Sequence, residues 1–222
     1  MEIIKKALNE GRNALSEYES KQILAGYDIP VTREVLVDRE DLLVDAAREI
    51  GYPLVIKGCS PDVSHKTEMG LIRVDIRGEE EARAAFREII VNLDGKDKAV
   101  LVQEMIQGKR ELVMGLTRDP QFGPCVMFGL GGIFTEILKD ISFRVAPLER
   151  GDAMEMMGEI KAGKILESVR GMEAADRELL AQMLINLGRL GLENDHVKEI
   201  DINPVILDGS RPVAVDALVL LD

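Results

Sequence analysis

From Val126 to Arg144 the chain reads VMFGLGGIFTEILKDISFR, in which two apolar, strand-like runs flank Gly129-Leu130-Gly131-Gly132 and an acid, a lysine and an arginine follow. Glycines let backbone N–H groups approach a polyphosphate with no side chain in the way, and Lys139 and Arg144 add positive charge. The chemistry such a turn suits is phosphate binding, with Gly131 and Gly132 as the cradle and Arg144 beside the transferred group. Lys57 is a second candidate. It leaves a buried-looking strand, Leu54-Val55-Ile56, immediately before Gly58, where an ammonium can meet phosphate as a point charge; an ordinary surface lysine is the competing reading. No GxxxxGK[ST] run is present, so a P-loop is not supported.

The C-terminal hairpin allows a geometric test. Leu207 and Pro212 flank a tip of Asp208-Gly209-Ser210-Arg211, and a four-residue loop or a two-residue turn gives the same register, with Asn203 opposite Asp216. Directly opposed residues share a face with Cβ atoms about 4.5–5.5 Å apart, so an amide oxygen and a carboxylate reach one hard cation. Mg²⁺ suits them, because it takes one or two protein oxygens and completes its shell with water and phosphate oxygens. A solvated polar face with a turn-forming Asn203-Pro204 is the equal alternative. His65 lies in a polar loop beside Lys66, where an imidazole can attack phosphorus near neutral pH; a solvated loop histidine is the bland reading, and it fits His196 better. Gln103, Glu104 and Met105 precede Ile106 on a strand that can offer backbone groups and apolar walls to a planar base, and Glu111 can accept from sugar hydroxyls; structural or solvent-facing strand positions are the equal reading for both.

The elements that must position these residues are legible from punctuation. Ser16 and Glu19 form a capping-box pattern and Gly26 closes a helix; Val31 to Val37 reads as a strand; Asp38 caps a helix that Gly51 ends. Leu54 to Ile56 and Leu71 to Ile76 read as strands, and Gly78 precedes a helix to Leu93. Asp94-Gly95-Lys96-Asp97 is the clearest break, so the division expected is residues 1–98, N-terminal helices and a first lobe, and 99–222, a second lobe. The second lobe is expected to hold strands at 100–106, 111–117 and near Val126, Ile133 and Phe143. Helices then span Gly151 to Leu166 and Ala174 to Leu190, before an all-strand end. Strict alternation in Glu199-Ile200-Asp201-Ile202-Asn203 puts two isoleucines on the core and three polar groups on the opposite face. The fold class is α+β.

A net charge of −12 argues against nucleic acid and anionic membrane surfaces as partners, and any anionic ligand must be held locally. No apolar run reaches spanning length and the start lacks a signal-like apolar core, so a cytoplasmic protein is expected. Cys59 and Cys125, without metal-like spacing, read as reduced thiols, and no His/Cys cluster suggests zinc. The methionines at 154, 156 and 157 read as helix packing.

Taken together, LVIKGCSPDVSHKTEMG from Leu54, LVQEMIQGKRELVMG from Leu101, TRDPQFGPCVMFGLGGIFTEILKDISFRVAPL from Thr117 and EIDINPVILDGSRPVAVDAL from Glu199 resemble the ATP-grasp β subunits of ADP-forming acyl-CoA synthetases of the acetyl-CoA type, relatives of succinyl-CoA synthetase. The resemblance covers nearly the whole chain. It implies two α+β lobes with ATP or ADP bound between them, Lys57 on phosphate, Gln103 to Met105 at the adenine hinge, Glu111 toward ribose, and Asn203 and Asp216 on Mg²⁺. It further implies His65 as a phosphoryl carrier, charged by a histidine of a separate α subunit and discharged to ADP, in an α2β2 assembly. Asp201 falls where succinyl-CoA synthetases carry a glutamate near the phosphohistidine loop. Gly70-Leu71 departs from the Gly-Gly common in relatives, and no GxGxxG run or CoA-binding domain is seen. Another ATP-grasp carboxylate ligase, or a nucleotide-sensing module without turnover, are the alternatives.

Overall fold

The computed structural model describes residues 2–60, 70–93, 98–132, 140–169 and 171–222. His65, Lys66, Lys139, the Asp94 to Asp97 break and the strand expected near Ile133 therefore lie outside the described residues. The elements are α1 (Glu2–Asn9), α2 (Glu17–Gly26), β1 (Glu34–Val37), α3 (Glu40–Ile50), β2 (Leu54–Cys59), β3 (Ile72–Ile76), α4 (Glu79–Asn92), β4 (Ala99–Glu104), β5 (Glu111–Asp119), β6 (Gly123–Leu130), β7 (Ile141–Val145), α5 (Arg150–Glu159), α6 (Arg177–Glu193), β8 (Val197–Asp208), β9 (Arg211–Ala214) and β10 (Leu218–Leu221). Among the described residues no helix is long and apolar enough to cross a membrane.

The chain divides into two compact units, one of Ser16–Tyr18 and Thr32–Ile106, the other of Met1–Leu15, Glu19–Val31 and Gln107–Asp222. This differs from the expected division at residue 98. β4 pairs with both β1 and β2, so it completes the smaller sheet, in the order β1-β4-β2-β3. Of the N-terminal helices, α1 and α2 beyond its first turn likewise belong to the other unit. Residues 13–15 lie along β10, through the Ala14–Leu220 bridge and the Leu15 N–H donated to the Val219 carbonyl.

In the smaller unit, α3 and α4 cover the face carrying Leu54, Ile56, Val100 and Val102, which form one buried cluster with Leu43, Ala47, Phe86 and Ile89. Asp38 does not cap α3. The N-cap is Arg39, without a side-chain cap, while Gly51 closes the helix at φ 88°, as its type suggests. Leu71 is fully buried in this cluster, which accounts for the departure from Gly-Gly: a glycine there would leave the core without that side chain.

The larger sheet runs β10-β8-β5-β6-β7, with β9 also on β8, all antiparallel. Met114, Leu116, Val126, Phe128, Ile200 and Ile202 face a buried core shared with α6. The expected alternation in β8 holds, since Ile200 and Ile202 are buried while Glu199, Asp201 and Asn203 are exposed. The long helix expected across Gly151 to Leu166 is instead α5 followed by a 3-10 turn at Gly163–Leu166. Asp140 lies buried against this break and accepts from the Lys161 and Ala162 amides at 2.7 Å each.

The glycine turn is shaped by packing. A Cβ on Gly129 would sit 2.6 Å from the Asp140 carbonyl oxygen, and one on Gly131 would sit 2.6 Å from the Leu112 carbonyl oxygen. Both obstacles are backbone, which cannot swing away as a side chain can. Gly131→Ala is expected to destabilise the chain by about 1–3 kcal/mol in urea unfolding. Gly151→Ala is the control, since nothing lies within 4 Å of its Cβ position in α5. Equal effects at the two positions would contradict this account of the turn.

Candidate functional site

The hairpin register is the one derived from its tip. Val205 opposes Ala214 and Asp208 opposes Arg211 around a Gly209-Ser210 turn in which Gly209 has φ 61°. From the other side, Asp201 opposes Leu218 and Ile200 opposes Val219. Both series converge on Asn203 opposite Asp216, within the short interruption between β9 and β10 where the ladder to β8 lapses. The Val215 amide donates to the Pro204 carbonyl at 3.0 Å and carries the register to the adjacent pair. Asn203 is exposed and Asp216 half-buried, so two oxygen donors stand on the face of β8 away from the core. Among the described residues no group of three His, Cys, Asp or Glu side chains has metal-site geometry. A two-oxygen set fits Mg²⁺, whose remaining positions are filled by water and phosphate, better than a metal that needs an all-protein cage.

Asp201 stands two residues along the same face. The residue is exposed, yet burial around its carboxyl, then the Glu199 and Asp216 charges, push its pKa up to about 6. That corner of the sheet therefore resists further negative charge and favours a cation or a proton donor nearby.

Glu111, Gly131 and Gly132 come together across β5 and the end of β6. The Gly131 amide donates to the Glu111 carbonyl at 2.9 Å, and a Cβ on Gly132, whose φ is 68°, would lie 2.5 Å from Glu111 Oε2. The Gly131 N–H is thus engaged within the sheet, and at Gly132 the glycine makes room for a carboxylate. Arg144 is set apart from this group. It pairs with Val126 on the core side of the sheet and reaches Glu159 at 2.5 Å and Glu155 at 3.4 Å, both on α5. A sequence run cannot show this, because the face a residue takes depends on the register of β7 against β6. The structure thus places Arg144, expected beside the transferred group, in an ion network with α5.

In the smaller unit Lys57 is buried at 4% exposure, and its Nζ donates to Glu17 Oε1 at 2.8 Å. Glu17 is equally buried, at the first turn of α2, where a carboxylate also meets the positive end of the helix dipole. Neighbouring Gly58 turns the other way: its amide donates to the Leu71 carbonyl at 2.8 Å, and a Cβ would press on Leu93 and Ile89 at 3.0 and 3.2 Å. Gly58 is therefore explained by core packing. Gln103 is buried on the same sheet face as Lys57, the face away from α3 and α4, since Val55 opposes Gln103. The Glu104 side chain takes the opposite face and grips Arg33, accepting from its backbone and Nε at 2.8 Å each. Met105 follows the end of β4, half-buried.

Sequence reading passed over Glu17. Its signal was available: Glu17, Ser20, Lys21 and Leu24 fall on one stripe of α2, and all four are buried. Charged residues on the buried side of a helix call for partners, and those partners are far away in sequence. His196, by contrast, is a surface residue near the C-terminal carbonyl, as its bland reading had it.

The chain matches the ATP-grasp domain family over residues 6–221. It is 47% identical to the β subunit of acetate–CoA ligase (ADP-forming) I of Pyrococcus furiosus, in an alignment covering 99% of this chain and 97% of the relative. It is also 41% identical to acetate–CoA ligase (ADP-forming) I of Archaeoglobus fulgidus over 99% of this chain, but only 33% of that longer protein. Among solved structures, acetyl-coenzyme A synthetase 1 of Candidatus Korarchaeum cryptofilum, in complex with coenzyme A, Ca-AMPCP and HgCl+, superposes with a TM-score of 0.95 at 46% identity, covering 100% of this chain and 99% of that one. The same protein with coenzyme A and Mg-AMPPCP, its phosphohistidine segment pointing towards the nucleotide binding site, gives a TM-score of 0.89 at 47% identity with the same coverage.

Two outcomes test the geometry. Breaking the buried pair by Lys57→Met or Glu17→Gln is expected to cost about 3–5 kcal/mol in urea unfolding, and joining the two changes should recover much of it. Additive losses would contradict a coupled pair. At Asp201 the folded pKa lies above the unfolded one, so proton binding favours the fold at low pH and that contribution is lost as pH rises through about 6. Asp201→Asn in metal-free chain should raise the melting temperature modestly at about pH 8, solvent screening part of the effect, and the gain should vanish near pH 4. A gain that persists at the acid end would contradict the assignment.

Proposed function

Because the chain belongs to the ATP-grasp family and, within it, to the β subunits of ADP-forming acyl-CoA ligases, we propose that it is the nucleotide-binding subunit of such a ligase. It moves a phosphoryl group between a histidine and ADP in the overall reaction acyl-CoA + ADP + phosphate = acid + CoA + ATP. The observation that carries the reading is the opposition of Asn203 and Asp216 on one face of the sheet. A separate α subunit supplies CoA binding and the acyl chemistry. Support comes from the β-subunit name of the Pyrococcus relative and from the longer Archaeoglobus ligase, of which this chain matches one third. An α2β2 assembly in the cytoplasm is the arrangement we propose.

Phosphoryl transfer asks a protein mainly for alignment and neutralisation of charge. Lys57 supplies a fixed positive charge for the nucleotide phosphates, and Gln103, Glu104 and Met105 offer the base its edge contacts. Glu111 accepts from ribose hydroxyls. Asn203 and Asp216 would hold Mg²⁺, which when bound shields the phosphate oxygens from an incoming anion. His65 is the relay. As the bond from phosphorus to the α-subunit histidine breaks, a bond to a His65 ring nitrogen forms; that bond breaks in turn as a terminal phosphate oxygen of ADP takes the group. Asp201 faces the same side of the sheet as the metal donors.

Co-expression with a CoA-binding α subunit is expected to give a stable complex that makes ATP from acyl-CoA, ADP and phosphate. On ATP labelled at its terminal phosphate, the chain should acquire an acid-labile, base-stable label that His65→Ala abolishes while nucleotide binding persists. Label of that kind on the His65→Ala chain would exclude the relay. Nucleotide binding with no phosphorylation in the presence of any α subunit would favour a sensing module instead.

A further inference from the structure

Lys21 is one of the largest fully buried side chains, at 1% exposure, and no step above uses it. An ammonium withdrawn from water costs several kcal/mol unless partners surround it, so a lysine at such a place is held there by what it contacts. One contact is the Val215 carbonyl, to which Nζ donates at 3.3 Å. Val215 belongs to the interruption between β9 and β10, where ladder pairing to β8 lapses, and the next residue is Asp216. Other bonds to the same stretch come from the same part of the chain: the Ser20 hydroxyl accepts from the Val219 amide at 3.2 Å, and the Pro30 carbonyl accepts from the Ala214 amide at 2.8 Å. Helix α2 and the turn after it thus grip the C-terminal segment on both sides of Asp216.

We propose that Lys21 is a positioning residue for Asp216. The Val215 amide is bonded to the Pro204 carbonyl of β8, and by taking the Val215 carbonyl on its other side Lys21 fixes the backbone next to Asp216 and keeps that carboxylate opposite Asn203. A lysine suits the task because its ammonium can donate three hydrogen bonds and so anchor several acceptors of an irregular backbone at once. The consequence for metal binding rests on the reading of Asn203 and Asp216 as Mg²⁺ donors; the hold on the segment does not.

The test uses the full chain as Lys21→Met and Lys21→Gln, with Asp216→Ala as reference. Amide hydrogen exchange is followed at 214–219 and in β5, and Mn²⁺ binding in the presence of saturating ADP is followed by electron paramagnetic resonance. Lys21→Met should lose protection at 214–219 while β5 keeps its own, and Mn²⁺ affinity should fall by about 10–100-fold, the usual effect of removing a group that orients a metal ligand. Lys21→Gln retains a donor without the charge and should fall between; it carries the comparison if the methionine variant does not fold. Unchanged protection at 214–219, or a loss spread evenly over β5, would overturn the proposal. So would local loss with Mn²⁺ affinity intact where Asp216→Ala weakens it. If Asp216→Ala leaves Mn²⁺ binding intact, the metal reading fails, and exchange at 214–219 alone decides whether Lys21 holds the segment.

Discussion

The pairing of β8 with the two short strands that follow it is the constraint on which the rest depends. In an antiparallel ladder a slip of one residue carries every side chain to the other face. Here the isoleucines at 200 and 202 cannot leave the core, so Glu199, Asp201 and Asn203 have no choice of side. The partner strand keeps that register before and after its interruption, and Asp216 is delivered opposite Asn203 without itself being a ladder residue. A short irregular stretch is a good place for a ligand-binding carboxylate, because its backbone is tied to the sheet only in part, here through the Val215 amide, and contacts from outside the sheet can set its direction.

The buried polar stripe of α2 fits this view. Glu17 holds the Lys57 ammonium in place, and Lys21 and Ser20 hold the chain around Asp216. None of these groups gains much by itself from being buried; an unpaired charge in the interior would be strongly unfavourable, and the pairings offset that penalty. What they contribute is fixed position, which phosphoryl transfer needs more than it needs reactive side chains.

Much of this was legible in the sequence, and the reasons differ by residue. The hairpin register followed from Leu207, Pro212 and a Gly-Ser tip, since turn length fixes pairing locally. The alternation at 199–203 gave the faces for the same reason. Where the partner is distant the sequence was silent. Arg144 looked like a phosphate group's neighbour because it follows a glycine turn, but the β6–β7 register sends it to the glutamates of α5. Gly58 looked like a loop glycine beside a phosphate lysine and Gly131 like part of a phosphate cradle, yet their amides bond to Leu71 and Glu111, and their missing side chains admit core residues and backbone. Glycine reports close approach, and only coordinates tell what approaches. The lobe boundary near residue 98 failed similarly: a break in composition marks a loop, while membership of a sheet is decided by the strands β4 pairs with.

The central claim is that Asn203 and Asp216 together receive the cation that accompanies the nucleotide. Its most direct test is to titrate Mn²⁺ into isotopically labelled chain saturated with ADP and follow which backbone resonances broaden. This account predicts that signals from 201–204 and 214–217 vanish first while those of β7 around Arg144 persist. Broadening that begins elsewhere and leaves Asn203 and Asp216 sharp would contradict it.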